Sequence, residues 1–253
     1  MNFQKLCLIL LFTAIVAIGS ASATCTNASL KGVFGYFHGR PGGAPMPDVY
    51  DVVGQLTLDG QGNITSASWT LSSSGSISTG TTTGTYSISK NCTGTLTLND
   101  ELDSPSNFNI YLNAGNTMFQ MIESDQGVNQ PGFGLAQGAV TCGLTGKKRV
   151  LTTNIVGLTL TDSDLEDTVG QVALDGKGNI SGTETFSMNA SPTTLPVTGT
   201  YTENSSCVGT WQITPSGGAT QNFNTVKVNS GKELLLIETD PGTDTAGNAQ
   251  SAP

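Results

Sequence analysis

The stretch VGQLTLDGQGNI at residues 53–64 returns as VGQVALDGKGNI at 169–180. In both copies apolar side chains take every second position: Leu56 and Leu58 in the first, Val172 and Leu174 in the second. Gln, Thr or Ala stand between them, the pattern of a strand that buries one face. Each run then breaks at Asp-Gly-x-Gly-Asn. That loop has the look of a helix-loop-helix calcium site, whose middle reads Asp-Gly-x-Gly. With Asp59 as third ligand, however, the first ligand position falls on Thr57 or Ala173, and Lys177 stands at the fifth, where calcium needs oxygen. The flanks are strands. The motif is therefore read as a tight hairpin turn, its glycines and asparagine supplying positive φ. No metal site is assigned.

Outward from this motif the whole chain repeats. TGTYSISKNCTGTLTL at 83–98 matches TGTYTENSSCVGTWQI at 198–213, and NFNIYLNAGNTMFQMIESDQG at 107–127 matches NFNTVKVNSGKELLLIETDPG at 222–242. These two offsets are 115, against 116 for the first motif. A period of that length is one domain, not the short period of a solenoid. The chain therefore divides into an N-terminal segment 1–23, a first repeat 24–140, a second repeat 141–248 and a tail 249–253. Each repeat reads as about eight strands, in the first over 30–39, 50–59, 63–72, 83–89, 93–99, 107–113, 117–124 and 132–140. Gly, Asn, Asp or Pro marks nearly every break. The expected fold is all-β: two tandem, roughly eight-stranded antiparallel up-and-down barrels, since closure removes sticky sheet edges. Two β-sandwiches are the alternative.

The N-terminus combines Lys5, an apolar run from Leu6 to Ile18 and the small residues Ala21-Ser22-Ala23. That is the layout of a cleaved signal peptide. Cys7 leaves with it, and Cys25, Cys92, Cys142 and Cys207 remain. Their spacing alone permits three pairings. If each repeat folds alone, Cys25 pairs with Cys92 and Cys142 with Cys207. A secreted, periplasmic or envelope location follows, with no transmembrane segment after cleavage. The full chain carries ten basic against nineteen acidic residues. That balance excludes nucleic acid and anionic lipid as main partners, because both require a basic footprint. The Thr/Ser-rich alternate faces exclude an outer-membrane barrel, which shows an apolar band to lipid.

The order Cys, Leu-x-Gly, VGQLTLDGQGNI, TGTYSISKNCTGTLTL and an apolar strand ending ETDPG resembles a group of uncharacterised exported proteins of soil bacteria. The likeness covers nearly all of the mature chain, twice. The second repeat departs from it where KKRVLTTNIVG replaces the aromatic first strand. The resemblance implies an exported β-barrel and no assigned activity. In outline the barrel is also similar to lipocalins and avidins, although the lipocalin Gly-x-Trp signature is missing.

Few residues suggest chemistry. Glu123 and Asp125, like Glu238 and Asp240, stand two apart and share a strand face, an arrangement able to move protons or hold a cation. Against that, Asp240-Pro241-Gly242 is ordinary turn sequence. His38, the only histidine, is read as an exposed loop residue, and Lys147, Lys148 and Arg149 as a solvated strand edge. The first repeat is rich in aromatics, and Tyr36, Trp69, Tyr86 and Phe108, with Glu123, are the candidate residues lining a ligand cavity. MFQMIE and ELLLIE are apolar on both faces, so each is expected to be covered outside by the other repeat. The expected function is a non-catalytic, exported binding or cell-envelope interaction protein. Its ligand would be a small apolar molecule or a glycan, and no cofactor is called for. The alternative is an extracellular hydrolase or isomerase using lumen carboxylates, for which Glu123 must face inward.

Overall fold

A computed structural model describes residues 24–39, 50–99, 104–128, 130–144, 146–159, 164–188 and 191–252. The proposed signal peptide lies outside them. The strands of the first repeat are β1 (Lys31–Gly39), β2 (Tyr50–Asp59), β3 (Asn63–Ser73), β4 (Ser76–Ile88), β5 (Thr93–Leu98), β6 (Ser106–Leu112), β7 (Met118–Glu123) and β8 (Pro131–Ala136). Those of the second are β9 (Arg149–Thr159), β10 (Asp164–Leu174), β11 (Asn179–Met188), β12 (Ser191–Glu203), β13 (Val208–Pro215), β14 (Gln221–Val228), β15 (Glu233–Glu238) and β16 (Thr243–Ser251). Each set pairs antiparallel in chain order and closes on itself, β8 on β1 and β16 on β9. The fold is two closed eight-stranded barrels, not two sandwiches.

Alternation fills each lumen. Phe34, Tyr36, Leu56, Leu96, Phe108 and Phe119 pack in the first barrel. Leu151, Val172, Trp211, Ile213, Phe223 and Leu236 pack in the second. The shift of repeat offset from 116 to 115 has a visible cause. Thr57 and Leu58 of β2 face Ser66 and Ile64 of β3, so Thr65 is one residue more on β3 than on its partner. The corresponding pairing of β10 with β11 runs without a slip. The extra residue is a β-bulge.

Two strands differ from the sequence expectation. β4 begins at Ser76, ahead of the expected 83, because its first half is mostly exposed and carries no apolar alternation. The residues taken for a tail are partly wall: β16 runs to Ser251, whose N–H donates to Lys232 O at 2.7 Å.

One end of each barrel is sealed. Cys25 bonds Cys92 and Cys142 bonds Cys207, each bridge joining the start of a barrel to its fourth hairpin connection. Both pairings are those that independent repeats demand, and two disulfides suit an oxidising compartment. At the same end the Asp59 carboxylate accepts N–H groups from Gln61, Gly62 and Asn63 and the Asn63 side-chain amide. Asp175 does the same for Lys177 and Asn179. These bonds hold both carboxyls down at about 2, the Asn63 or Asn179 amide contributing most. The recurring motif is thus a turn whose acid is occupied by its own backbone. The opposite end of each barrel, where β1 and β9 finish, is the mouth.

The barrels lie side by side with their mouths on the same flank. Near the mouths Ser72 Oγ donates to Thr243 O at 2.9 Å and Gly242 N to Gly75 O at 3.0 Å. Near the sealed ends Gln55 Nε2 donates to Ser206 O at 2.8 Å and Ser230 N to Gln137 O at 2.8 Å. Between them Phe37, Val53, Val226, Val228, Leu235 and Ile237 form a third apolar cluster. The outer face of ELLLIE is therefore covered by the first barrel, as its composition requires. MFQMIE is not treated alike: Ile122 is 42% exposed and Gln120 is open to solvent. The contact uses β14–β16 of one barrel and β1–β3 of the other. Such an asymmetric contact has no place for two equivalent strands. Among the described residues no helix is long and apolar enough to cross a membrane.

Candidate functional site

The lumen of the first barrel is packed with aromatics up to its mouth. His38 is not a loop residue; it lies in β1 and is 0% exposed. The strand simply continues the inward series Phe34, Tyr36, His38. Its ring stacks on Tyr36 at 6.0 Å and meets the edges of Phe108 at 5.0 Å and Tyr50 at 5.9 Å. Its Nδ1 is 3.3 Å from Gln130 Oε1. Glu123 is buried beside this group, and the Tyr50 hydroxyl donates to its Oε2 at 2.9 Å. Of the residues singled out from the sequence, Tyr36, Phe108 and Glu123 thus meet near the mouth. Trp69 packs half-buried against the same core. Tyr86 is at the sealed end, where its hydroxyl donates to Leu30 O at 2.6 Å and accepts from Gly60 N at 2.8 Å. Asp125 clasps the start of β6 by accepting from Asn107 N at 2.7 Å.

The second barrel replaces this packing residue by residue. With the conserved Gly-Gln motif as ruler, Gly54 pairs Tyr36 and Trp69, while its counterpart Gly170 pairs Thr153 and Glu184. Two aromatic rings have become two small or polar groups, and Thr153 Oγ1 donates to Glu184 Oε1 at 2.9 Å. His38 is matched by Ile155, and Tyr50 by Glu166. Space opens as a result. A cavity of about 550 Å³ occupies the mouth, walled by Phe186, Leu195 and Pro215, with Glu166, Gln221 and Glu238 among its polar groups.

The exchange of Tyr50 for Glu166 sets the electrostatics. Glu123 receives a hydroxyl; its counterpart Glu238 receives a second carboxylate. Glu238 is only 2% exposed, and its Oε2 has no hydrogen-bond partner among the described residues. Burial, reinforced by the charges of Glu166 and Asp240, pushes its carboxyl up to about 8. Burial also raises Glu166, although Gln221 Nε2 donates to it at 2.9 Å and moderates the effect. Asp240 itself clasps β14, accepting from Asn222 N and Nδ2, both at 2.7 Å. Sequence reasoning marked Glu238 and Asp240 as a pair but missed Glu166, Phe186 and Leu195. The signal for Glu166 was present, since YDVVGQ at 50–55 aligns with EDTVGQ at 166–171.

Among the described residues one cluster has metal-ligand composition, Cys142, Cys207 and Glu203. Both sulfurs are in the disulfide and Lys227 pairs with Glu203, so no thiolate is offered.

No protein-family model matches the chain, and no curated protein is detectably similar in sequence. Solved structures similar in outline include kievitone hydratase from Nectria haematococca, at 8% identity and a TM-score of 0.29, over 92% of this chain and 94% of that one. A protein of unknown function of the DUF3598 family from Nostoc punctiforme matches at 11% identity and a TM-score of 0.24, over 88% and 97%. The Myxococcus xanthus hemagglutinin, solved with a mannopentaose, matches at 13% identity and a TM-score of 0.17, over 87% and 100%. Superpositions this loose transfer neither residues nor activity.

Proposed function

We propose that the protein is exported and binds a small ligand without transforming it, and that the mouth of the second barrel is the binding site. The observation that carries this reading is the cavity of about 550 Å³ between Phe186, Leu195 and Pro215, with the buried acid Glu238, whose Oε2 has no hydrogen-bond partner among the described residues, in its lining. Sites for small molecules are typically concave, largely apolar, and given orientation by a few convergent polar groups. The aromatic core of the first barrel then serves as packing, and its outer face, through Phe37 and Val53, as the platform against which the second barrel docks. Secretion rests on the N-terminal segment and agrees with the two disulfides; the lipocalin-like outline agrees with a ligand held in a barrel mouth.

Native mass spectrometry of the exported protein tests the reading. A retained small molecule is expected in the wild type and not in Leu195→Trp, whose indole fills the mouth. A retained mass indifferent to that substitution, or no retained mass and no melting shift with any small-molecule library, overturns it. The opposition of Glu238 and Glu166 favours a second reading, acid–base catalysis, with Glu238 giving a proton and Glu166 taking one. The two part on one observation: a binding protein returns its ligand unchanged, a catalyst returns it altered.

A further inference from the structure

From the distribution of charge around this mouth we infer that its ligand is an organic cation, an ammonium group carried on an apolar body. The inference rests on the binding reading above and narrows it.

Three observations converge. The first is Glu238, a buried acid among the residues lining the cavity, whose Oε2 has no hydrogen-bond partner among the described residues. Leaving such an atom unpaired in a buried site is costly, and a ligand donor or cation would relieve that cost. The second is that, among the described residues, no lysine or arginine is placed to do so. Every described lysine and arginine, namely Lys31, Lys90, Lys147, Lys148, Arg149, Lys177, Lys227 and Lys232, belongs to the sealed ends or the turns beside them. Among the described side chains, the acids facing or flanking the second mouth are Glu166 on β10, Glu238 on β15 and Asp240 after it. Glu184 lies deeper on β11, and Asp167 and Asp244 lie on the outer faces of β10 and β16. A mouth of one sign inside low-dielectric walls concentrates the opposite charge. The third is the wall itself. Phe186 brings an aromatic ring, the kind of group that attracts a cation, while Leu195 and Pro215 suit a hydrocarbon tail. An anionic ligand would meet the charges of Glu166 and Asp240, and a neutral one would bring no charge to balance them.

The proton balance is explicit. Below its folded value Glu238 is a neutral acid. Binding of a fixed-charge ammonium ionises it, and one proton passes to solvent. Affinity therefore rises with pH until Glu238 is already ionised in the free protein, near pH 8.

Calorimetric titration of the full-length exported protein tests this with benzyltrimethylammonium, 2-phenylethanol and 3-phenylpropionate. The cation is expected to bind at least about tenfold tighter than the alcohol and the anion least. Its affinity is expected to climb up to about tenfold per unit from pH 6 and to level near 8. Glu238→Gln should remove most of that climb, and Asp167→Asn, on the outer face, should leave it intact. Should Glu238→Gln fold poorly, Glu166→Gln provides an independent reading. Removing that charge lowers the Glu238 carboxyl, so the levelling moves to lower pH. If the alcohol binds as well as the cation, and affinity is flat with pH, the cation inference falls while the mouth stands as a binding site. If none of the three binds, or all bind Leu195→Trp equally, both fall together.

Discussion

A single exchange between repeats, Tyr50 for Glu166, separates a satisfied carboxylate from an unsatisfied one. In the first barrel a phenol donates to Glu123; in the second, two acids confront each other, and Glu238 holds its proton up to about pH 8. The consequence for stability has a definite sign. The unfolded chain releases this proton near the ordinary glutamate value, whereas the native one keeps it. Unfolding therefore frees a proton between about 4.5 and 8, and stability declines as pH rises through that window, by at most about 1.4 kcal/mol per unit. Glu238→Gln is expected to melt close to wild type at pH 4 and several degrees above it at pH 8. Melting curves that stay parallel across the range would refute the assignment. This contrast was partly open to the sequence. The repeat alignment puts Glu opposite Tyr, but alignment cannot say that both face a lumen. His38 was misjudged for a related reason: a lone histidine beside glycines has the composition of a loop, and only the inward series Phe34, Tyr36, His38 shows where it points. The half-cystines were easier. Cys92 and Cys207 both adopt positive φ, at 64° and 63°, so the repeats share even a strained backbone position.

At the scale of elements, alternation made most strands legible, and failures came where burial did not ask for apolar residues. The outer half of β4 is built of Ser, Thr and Gly, while β16 reaches the core through Ala246 and Ala249, too small to register as a hydrophobic pattern. The bulge in β3 left a trace in the sequence as a change of offset by one residue. Its position gives an expectation. Deleting Thr65 should simply give β3 the unbulged register of β11, and a folded protein with nearly native circular dichroism. Deleting Ser181 from the regular β11 should instead turn every later residue of that strand to the wrong face and unfold the second barrel. Equal damage from the two deletions would contradict the bulge as the site of the extra residue.

Across the whole molecule, two bodies that could have been strung loosely are fixed by a shared apolar seam. Gly35 marks its tightest point: a Cβ there would run into Val228 and sit within 3.3 Å of Leu235 Cδ1. Its own backbone is unstrained, so the demand is for room. Gly35→Val is expected to split one calorimetric transition into two without abolishing either barrel; a single unshifted transition would show that the seam adds little. The cavity at the second mouth belongs to this scale as well, assembled from β10 to β16, and no local window of sequence displays it.

The parallel setting of the barrels has an electrical corollary. Among the described residues the lysines and arginine gather on one flank and most buried acids on the other, a separation along the barrel axes. Beside any negatively charged surface such a separation favours the cystine-bearing flank turned inward and both openings outward, towards whatever diffuses past.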